Sequence, residues 1–241
     1  MKGPARLIGR IILVLLCAGL VLCCAQESTA QLNRISVSIS GGAGYLPLKD
    51  WEDFATSISS SHFEKDKFGS YLDLRAVYHL TDRHAVALNV ESINTSASLY
   101  HAMALTGPTG DTSGYASSVI KWDFSAIPVG LSYEFHPMRS DESTSPFLGF
   151  GVSYFFSEVE YKSWFLHDGF FGDLGSKGAR DGEGYGVHAY AGVQCQLTEQ
   201  LLVVSRLRGR YADGMGFTDE EGTVKVEFTG VDFTLGLGWR F

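Results

Sequence analysis

The last eleven residues restrict the fold more than any other feature of this chain. From Val231 to Phe241 every odd position is apolar (Val231, Phe233, Leu235, Leu237, Trp239, Phe241), and every even position is Asp232, Thr234, Gly236, Gly238 or Arg240. A period of two is the signature of a strand, because successive side chains leave a strand on opposite faces. One face of this strand is continuous hydrocarbon, and it must be given either to a core or to lipid.

The pattern recurs seven more times, over Ile35–Ile39, Leu72–Leu80, Val86–Val90, Ile127–Phe135, Leu148–Phe156, Tyr185–Val193 and Leu201–Leu207. The segments between them alternate in length. Residues 81–83, 136–146 and 198–200 are short connections, whereas 47–68, 98–118, 162–182 and 212–225 are long. Short turns at one end, long external loops at the other and an even strand count are the layout of a transmembrane barrel. The sequence therefore predicts an all-β fold, an eight-stranded antiparallel up-and-down transmembrane β-barrel.

The polar face decides between a membrane barrel and a soluble one. It is built of Gly, Ala and Ser with Arg, Asp and Glu interspersed. Glycine weakens a strand that faces water, but the lumen of an eight-stranded barrel is only just wide enough for side chains and needs small residues. On the apolar face, Tyr45, Tyr78, Tyr133, Phe135, Tyr154, Tyr185, Tyr211, Trp239 and Phe241 fall near strand ends, as interfacial aromatic girdles do. The apolar face is thus expected to meet lipid and the small, polar face to fill the lumen.

The N-terminus carries an export pattern. Lys2, Arg6 and Arg10 precede an apolar run from Ile11 to Leu22, too short for a spanning helix and followed by small residues. Cleavage is expected after Ala30, with Ala25 as the other possible point, so residues 1–30 read as a cleaved signal and 31–241 as the barrel domain. Lipid attachment at Cys23 is disfavoured, since Leu22 rather than a small residue precedes it. Cys17, Cys23 and Cys24 lie in the signal, leaving Cys195 without an internal partner. A net charge of −8 argues against nucleic acid as a ligand.

The export signal, the strand Ile127-Pro128-Val129-Gly130-Leu131-Ser132-Tyr133-Glu134-Phe135 and the terminal Gly236-Leu237-Gly238-Trp239-Arg240-Phe241 resemble the small outer-membrane β-barrels of Gram-negative bacteria, the OmpA/OmpX-like barrels. The resemblance extends over the whole exported chain. It implies the bacterial outer membrane as location, outer-membrane lipid and lipopolysaccharide as surroundings, and a monomer. It also implies recognition by the barrel-assembly machinery through the terminal aromatic strand, with Phe241 and Trp239 as the signal.

Several inner-face residues carry charge. Arg206, Arg208 and Arg210 share one phase, Asp232 lies on the polar face of the last strand, and Asp73, Arg75, Glu91 and His188 share the inferred lumen with Arg34, Glu134 and Arg240. These signs nearly balance, so the cluster reads as an ion-pair plug of a narrow lumen; the sharper reading is an anion-attracting constriction. Trp164, Phe165, Leu166, His167, Phe170 and Phe171 read as a loop core over the barrel mouth, or as a surface for lipid or a partner. Asp213, Asp219, Glu220 and Glu221 read as a solvated acidic tip, Gly107-Pro108-Thr109-Gly110 as a turn, and Cys195 as inert and lipid-facing.

No HExxH pair, paired-cysteine zinc site, Gly-x-Ser-x-Gly elbow or phosphate-binding loop occurs in the sequence. No catalytic residue, metal or cofactor is expected. The favoured function is that of a non-enzymatic barrel with a structural or surface-interaction role through its long external loops. The alternative is a narrow passive channel for small or apolar solutes, and a lipid-modifying enzyme ranks third.

Overall fold

A computed structural model describes residues 34–48, 53, 62–65, 68–106, 112–139, 143–167, 170–219 and 222–241. Side chains are described for these except 62–65, 101–106, 112–116, 165–167, 170–177, 213–219 and 222–225. The expected signal segment and the Gly107–Gly110 turn lie outside the described residues.

The barrel wall is made of β1 (Ile35–Tyr45), β3 (Phe68–His79), β4 (His84–Thr106), β5 (Thr112–Phe135), β6 (Thr144–His167), β7 (Phe170–Gln196), β8 (Leu201–Asp219) and β10 (Gly230–Arg240). Two short strands stand outside the ring: β2 (His62–Lys65) pairs with β4, and β9 (Gly222–Val226) pairs with the upper part of β8. Each wall strand pairs antiparallel with its chain neighbours, and β10 closes the ring by pairing with both β8 and β1. In the closing seam Ser36 stands opposite Arg240 and Tyr45 opposite Val231. Closure leaves no strand edge for lipid to meet.

The turns gather at the end that holds Arg34 and Phe241. The turns after β3 and β7 use the same device, a Thr before an acidic residue. Thr81 Oγ1 accepts from the backbone N–H of Arg83 and His84 at 3.3 and 3.1 Å, and Thr198 Oγ1 from Gln200 and Leu201 at 3.3 and 3.0 Å. The longer connection after β5 keeps β5 and β6 in register, with Phe135 opposite Leu148. Arg34 does not face the lumen as the strand phase suggested. It is exposed at this rim, where its Nη1 donates to the Leu80 carbonyl at 3.4 Å, because the chain has not yet entered β1.

Through the middle of the wall the outer face is apolar and bare. Leu72, Leu131, Phe150, Val152, Val187, Leu207 and Leu237 all point outward and are exposed. Two rings of aromatics border this belt. Tyr78, Tyr133, Phe135, Trp239 and Phe241 lie toward the turn end, and Tyr45, Phe68, Tyr185 and Tyr211 toward the other, all exposed. Such a surface is stable only in lipid.

Three of the four segments expected as long loops, 98–118, 162–182 and 212–225, are mostly strand. β4 and β5 continue to Thr106 and from Thr112, β6 and β7 meet between His167 and Phe170, and β8 continues to Asp219 before returning as β9. The period of two persists there, but its sense inverts. Above the belt the outward positions are Ser92, Asn94, Ser96, Asp123, Ser125, Glu158 and Glu160, while the inward positions Ile93, Ala97, Leu99, Trp122, Phe124 and Val159 are buried. The wall is apolar outward where it meets lipid and apolar inward where it meets water. A search for outward hydrocarbon therefore stops at the membrane surface although the strand goes on. The side chains of Phe165, Leu166, His167, Phe170 and Phe171, and those of Asp213, Asp219, Glu220 and Glu221, lie outside the described residues.

The β6–β7 and β7–β8 ladders shift register at Lys162/Trp164 and Glu183/Tyr185, and the β4–β5 ladder is interrupted lower in the wall. Between β4 and β5 the pairing passes from Val90–Val129 to Ile93–Ala126, omitting Glu91 and Ser92 opposite Pro128 and Ile127. Pro128 has no N–H to contribute.

The belt generates a direct prediction. Val152 lies outward at the centre of the apolar stretch Leu148–Phe156 of β6. Val152→Arg should lower the unfolding free energy in phospholipid vesicles by about 2–4 kcal/mol. Ser96→Arg, above the belt, should change it by less than about 1 kcal/mol in the same urea titration.

Candidate functional site

Three layers fill the barrel. Toward the turns lie Phe147, Tyr190, Leu202 and Val204, with Val77, Ala85 and Ala87 in a smaller apolar group nearby. Above the charged middle is an apolar layer that includes Leu46, Leu48, Tyr71, Ile93, Trp122, Phe124, Phe155, Ala212 and Phe228. This upper layer was not expected, because its residues follow the inverted phase. Leu48, fully buried, adopts φ 46°, a left-handed conformation that a branched residue takes only when its surroundings hold it.

The middle layer assembles from strand phase. On β8, Arg206, Arg208 and Arg210 fall on successive inward positions, and register sets Arg208 beside Asp232 of β10. On the opposite wall Asp73 of β3 stands directly across from Glu91 of β4. Two carboxylates opposite one another repel, and the arginines reach across the lumen to them. Arg206 Nη2 donates to Asp73 Oδ2 at 2.8 Å. Arg208 holds Asp232 with two bonds, from Nε at 3.1 Å and Nη2 at 3.0 Å, while its Nη1 binds Glu91. Arg210 Nη2 bridges Glu91 Oε2 and Asp232 Oδ2, both at 2.8 Å. Toward the turns Arg75 pairs with Glu134, to which the Tyr190 hydroxyl also donates.

Four arginines thus meet four carboxylates, and every one of these side chains is buried. Aromatic faces complete the layer. The Arg75 guanidinium lies 5.1 Å from the Phe147 ring centre, Arg206 lies 5.4 Å from Tyr190, and Arg210 lies 5.1 Å from Tyr71. Glycines make the room: a Cβ on Gly149 would collide with the Tyr190 ring, and one on Gly192 with the Phe147 ring.

His188 belongs to this layer without joining its ion pairs. Its Nε2 is 2.8 Å from Ser132 Oγ and its Nδ1 is 3.0 Å from Ser153 Oγ, so two serine hydroxyls occupy both ring nitrogens. Below it, His136 follows the end of β5 with Nδ1 3.3 Å from Ser145 Oγ. Burial, assisted by Arg75 and Arg240, pushes His136 down to about 4, so it is neutral at physiological pH. The gap bounded by Glu91, Ser153, Phe155, His188, Arg208 and Arg210 has no space for a water molecule. Among the described residues no group of three or more His, Cys, Asp and Glu is placed to hold a metal ion.

The terminal residues lie apart from the lumen. Trp239 pairs with Val37, and Phe241, just past the end of β10, donates its N–H to the Ile35 carbonyl at 3.0 Å while its side chain stays exposed. Cys195 is half-buried on the outer phase, with Thr144 Oγ1 3.9 Å from its sulfur.

With this geometry in place, comparisons with known proteins can be stated. The model of the outer membrane protein beta-barrel domain family matches residues 15–241. No curated protein matches the chain in sequence. Among solved structures it is similar to the outer membrane protein OprG from Pseudomonas aeruginosa, at 19% identity over 87% of this chain and 97% of that one, with a TM-score of 0.48. It is also similar to the attachment invasion locus protein Ail of Yersinia pestis, at 15% identity over 86% and 99%, TM-score 0.41. The outer membrane protease OmpT from Escherichia coli follows at 11% identity over 89% and 99%, TM-score 0.41.

Breaking a buried charge pair from one side leaves an uncompensated charge. Asp232→Asn, which keeps the side-chain shape, should destabilise the barrel by about 3–5 kcal/mol in vesicle urea titrations. Asp82→Asn, which removes the exposed partner of Arg139 in a turn, should cost less than about 1 kcal/mol.

Proposed function

Because this chain belongs to the outer membrane protein beta-barrel domain family, and so resides in the bacterial outer membrane, we propose that it is a non-enzymatic barrel with a structural and surface-interaction role. In this reading the lumen is a solid strut and the extracellular end makes the contacts. The observation that carries it is the Arg208 layer. Glu91, Asp232, Asp73 and Glu134 are all committed to arginines, Glu91 and Asp73 across the bore and Asp232 on the neighbouring strand, which leaves none of them as a free acid or base. The apolar layer above closes the same bore a second time. The lumen charges are then a plug and not an anion-attracting constriction.

The partners in this reading are outer-membrane lipid and lipopolysaccharide around the belt, and the barrel-assembly machinery during insertion. The protein acts as a monomer. Phe241 and Trp239 are the assembly signal. They are exposed at the turn-end rim, on the strand that must find β1 for the ring to close. The narrow-channel alternative draws on the break in the β4–β5 ladder at Pro128, beside Glu91 of the plug.

Planar-bilayer recording separates these readings. The intact protein should show no open-channel steps. Regular conductance steps from the intact protein would favour the channel. Deletion of Phe241 should slow assembly into the outer membrane, followed by pulse-chase, while the folded fraction keeps its urea midpoint. Assembly of the truncated chain at the normal rate would remove the terminal residue from that role.

A further inference from the structure

The turn end of the lumen holds two histidines that the ion pairs do not use. His79 ends β3 and His136 follows the end of β5, both on the inward phase. Between them in register stands Ala85 of β4, opposite His79 on one side and Glu134 on the other. Its methyl group leaves room, and the two rings meet across the strand with centres 5.3 Å apart. The Phe147 ring of β6 covers His136, its centre 5.7 Å away.

Both side chains are buried, His79 at 5% and His136 at 1% exposure. His136 Nδ1 meets Ser145 Oγ, but His136 Nε2 and both ring nitrogens of His79 are buried with no hydrogen-bond partner in the protein. The guanidiniums of Arg75, from β3, and Arg240, from β10, act on both rings. Among the described residues the carboxylate within reach is Glu134 of β5, its Oε2 3.7 Å from His136 Nε2, and it already holds Arg75 and the Tyr190 hydroxyl of β7. At this end β4 and β8 contribute Ala85, Ala87, Leu202 and Val204, none of which titrates, and β1 sets Ser36 opposite Arg240. Two guanidiniums against one committed carboxylate leave nothing to answer a further cation. A proton on either ring places that cation in a buried site, beside charges of its own sign.

We propose that His79 and His136 form an acid-sensitive latch: neutral, their packed rings seal the turn end of the lumen; protonated, they repel each other and the two guanidiniums, and the turn end opens to water. The latch rests on the sealed lumen proposed above and gives it a control. Burial first, and the two guanidiniums second, hold His136 down to about 4 in the closed barrel, whereas in water it titrates at its ordinary 6.5. Above pH 6.5 the ring is neutral in both states and the seal is unaffected. As pH falls from 6.5 toward 4, protons bind the open state first and draw the equilibrium to it. At pH 5 ordinary carboxylates are still ionised, so the ion-pair layer above keeps its charges.

Thiol access in nanodiscs tests the latch, with Cys195→Ser as background. Val77→Cys reports on the turn end of the lumen, being inward, 5% exposed and two residues from His79. Glu199→Cys, in an exposed turn, is the reference at each pH, and Thr234→Cys reports on the charged layer above. The rate at Val77→Cys relative to the reference is expected to be low at pH 7.5 and to rise by about tenfold or more at pH 5, while that at Thr234→Cys does not change. His79→Phe/His136→Phe, which keeps two packed rings without a titrating group, should abolish the rise. If that double replacement prevents folding, each single replacement is read instead, and each should cut the rise severalfold. A low, pH-independent rate at Val77→Cys would overturn the latch and leave the sealed lumen standing. A rate equal to the reference already at pH 7.5 would overturn both. A rise that survives the replacements, or one that Thr234→Cys shares, would also overturn the latch.

Discussion

The closing seam between β1 and β10 is the contact on which everything else depends. Inside a bilayer no water is present to satisfy a free N–H or C=O, so a sheet survives only as a ring. The seam runs from Ser36–Arg240 to Tyr45–Val231 without interruption, and it brings the first and last strands of the barrel into one sheet. A ring of eight strands leaves an interior only wide enough for side chains. The alternation of small and large inward residues, Gly149 against Tyr190 and Gly192 against Phe147, follows from that width.

A lumen this narrow must be filled, and in the middle of the barrel it is filled with charge. Burying charges is expensive unless each finds a partner and its hydrogen bonds. The arrangement meets that condition by register. Two carboxylates that would repel across the β3–β4 pair, Asp73 and Glu91, are each reached by arginines from β8, and Asp232 is held by Arg208 and Arg210 together. Such a layer ties distant parts of the chain to one another: Arg208 and Glu91 are 117 residues apart. It favours one strand register, since a slip of one residue would turn Arg206, Arg208 and Arg210 toward lipid.

The strand phase was legible because lipid imposes a simple rule, hydrocarbon outward. Leu235, Leu237 and Trp239 show it in β10, and Leu148, Phe150 and Val152 in β6. The same phase places Arg206, Arg208, Arg210, Asp73, Arg75, Glu91, Asp232 and His188 inward together, but it is silent on pairing. That His188 bonds to Ser132 and Ser153 rather than to a carboxylate depends on cross-lumen distances, which no local pattern contains. Above the membrane the rule reverses. Trp122 and Phe124 turn inward while Asp123 and Ser125 face water, so strands read as loops.

Water access to the lumen tests the central claim most directly. With Cys195 replaced by Ser, a single cysteine at Thr234, an inward position opposite Arg206 and 1% exposed, can be challenged with a charged thiol reagent in vesicles. The sealed-lumen account predicts that Thr234→Cys stays unmodified over times in which a cysteine at the exposed outward position Asn94 reacts completely, and that adding Arg208→Ala makes it reactive. Modification of Thr234→Cys at the rate of the exposed site, with Arg208 in place, would show an open bore and contradict the account.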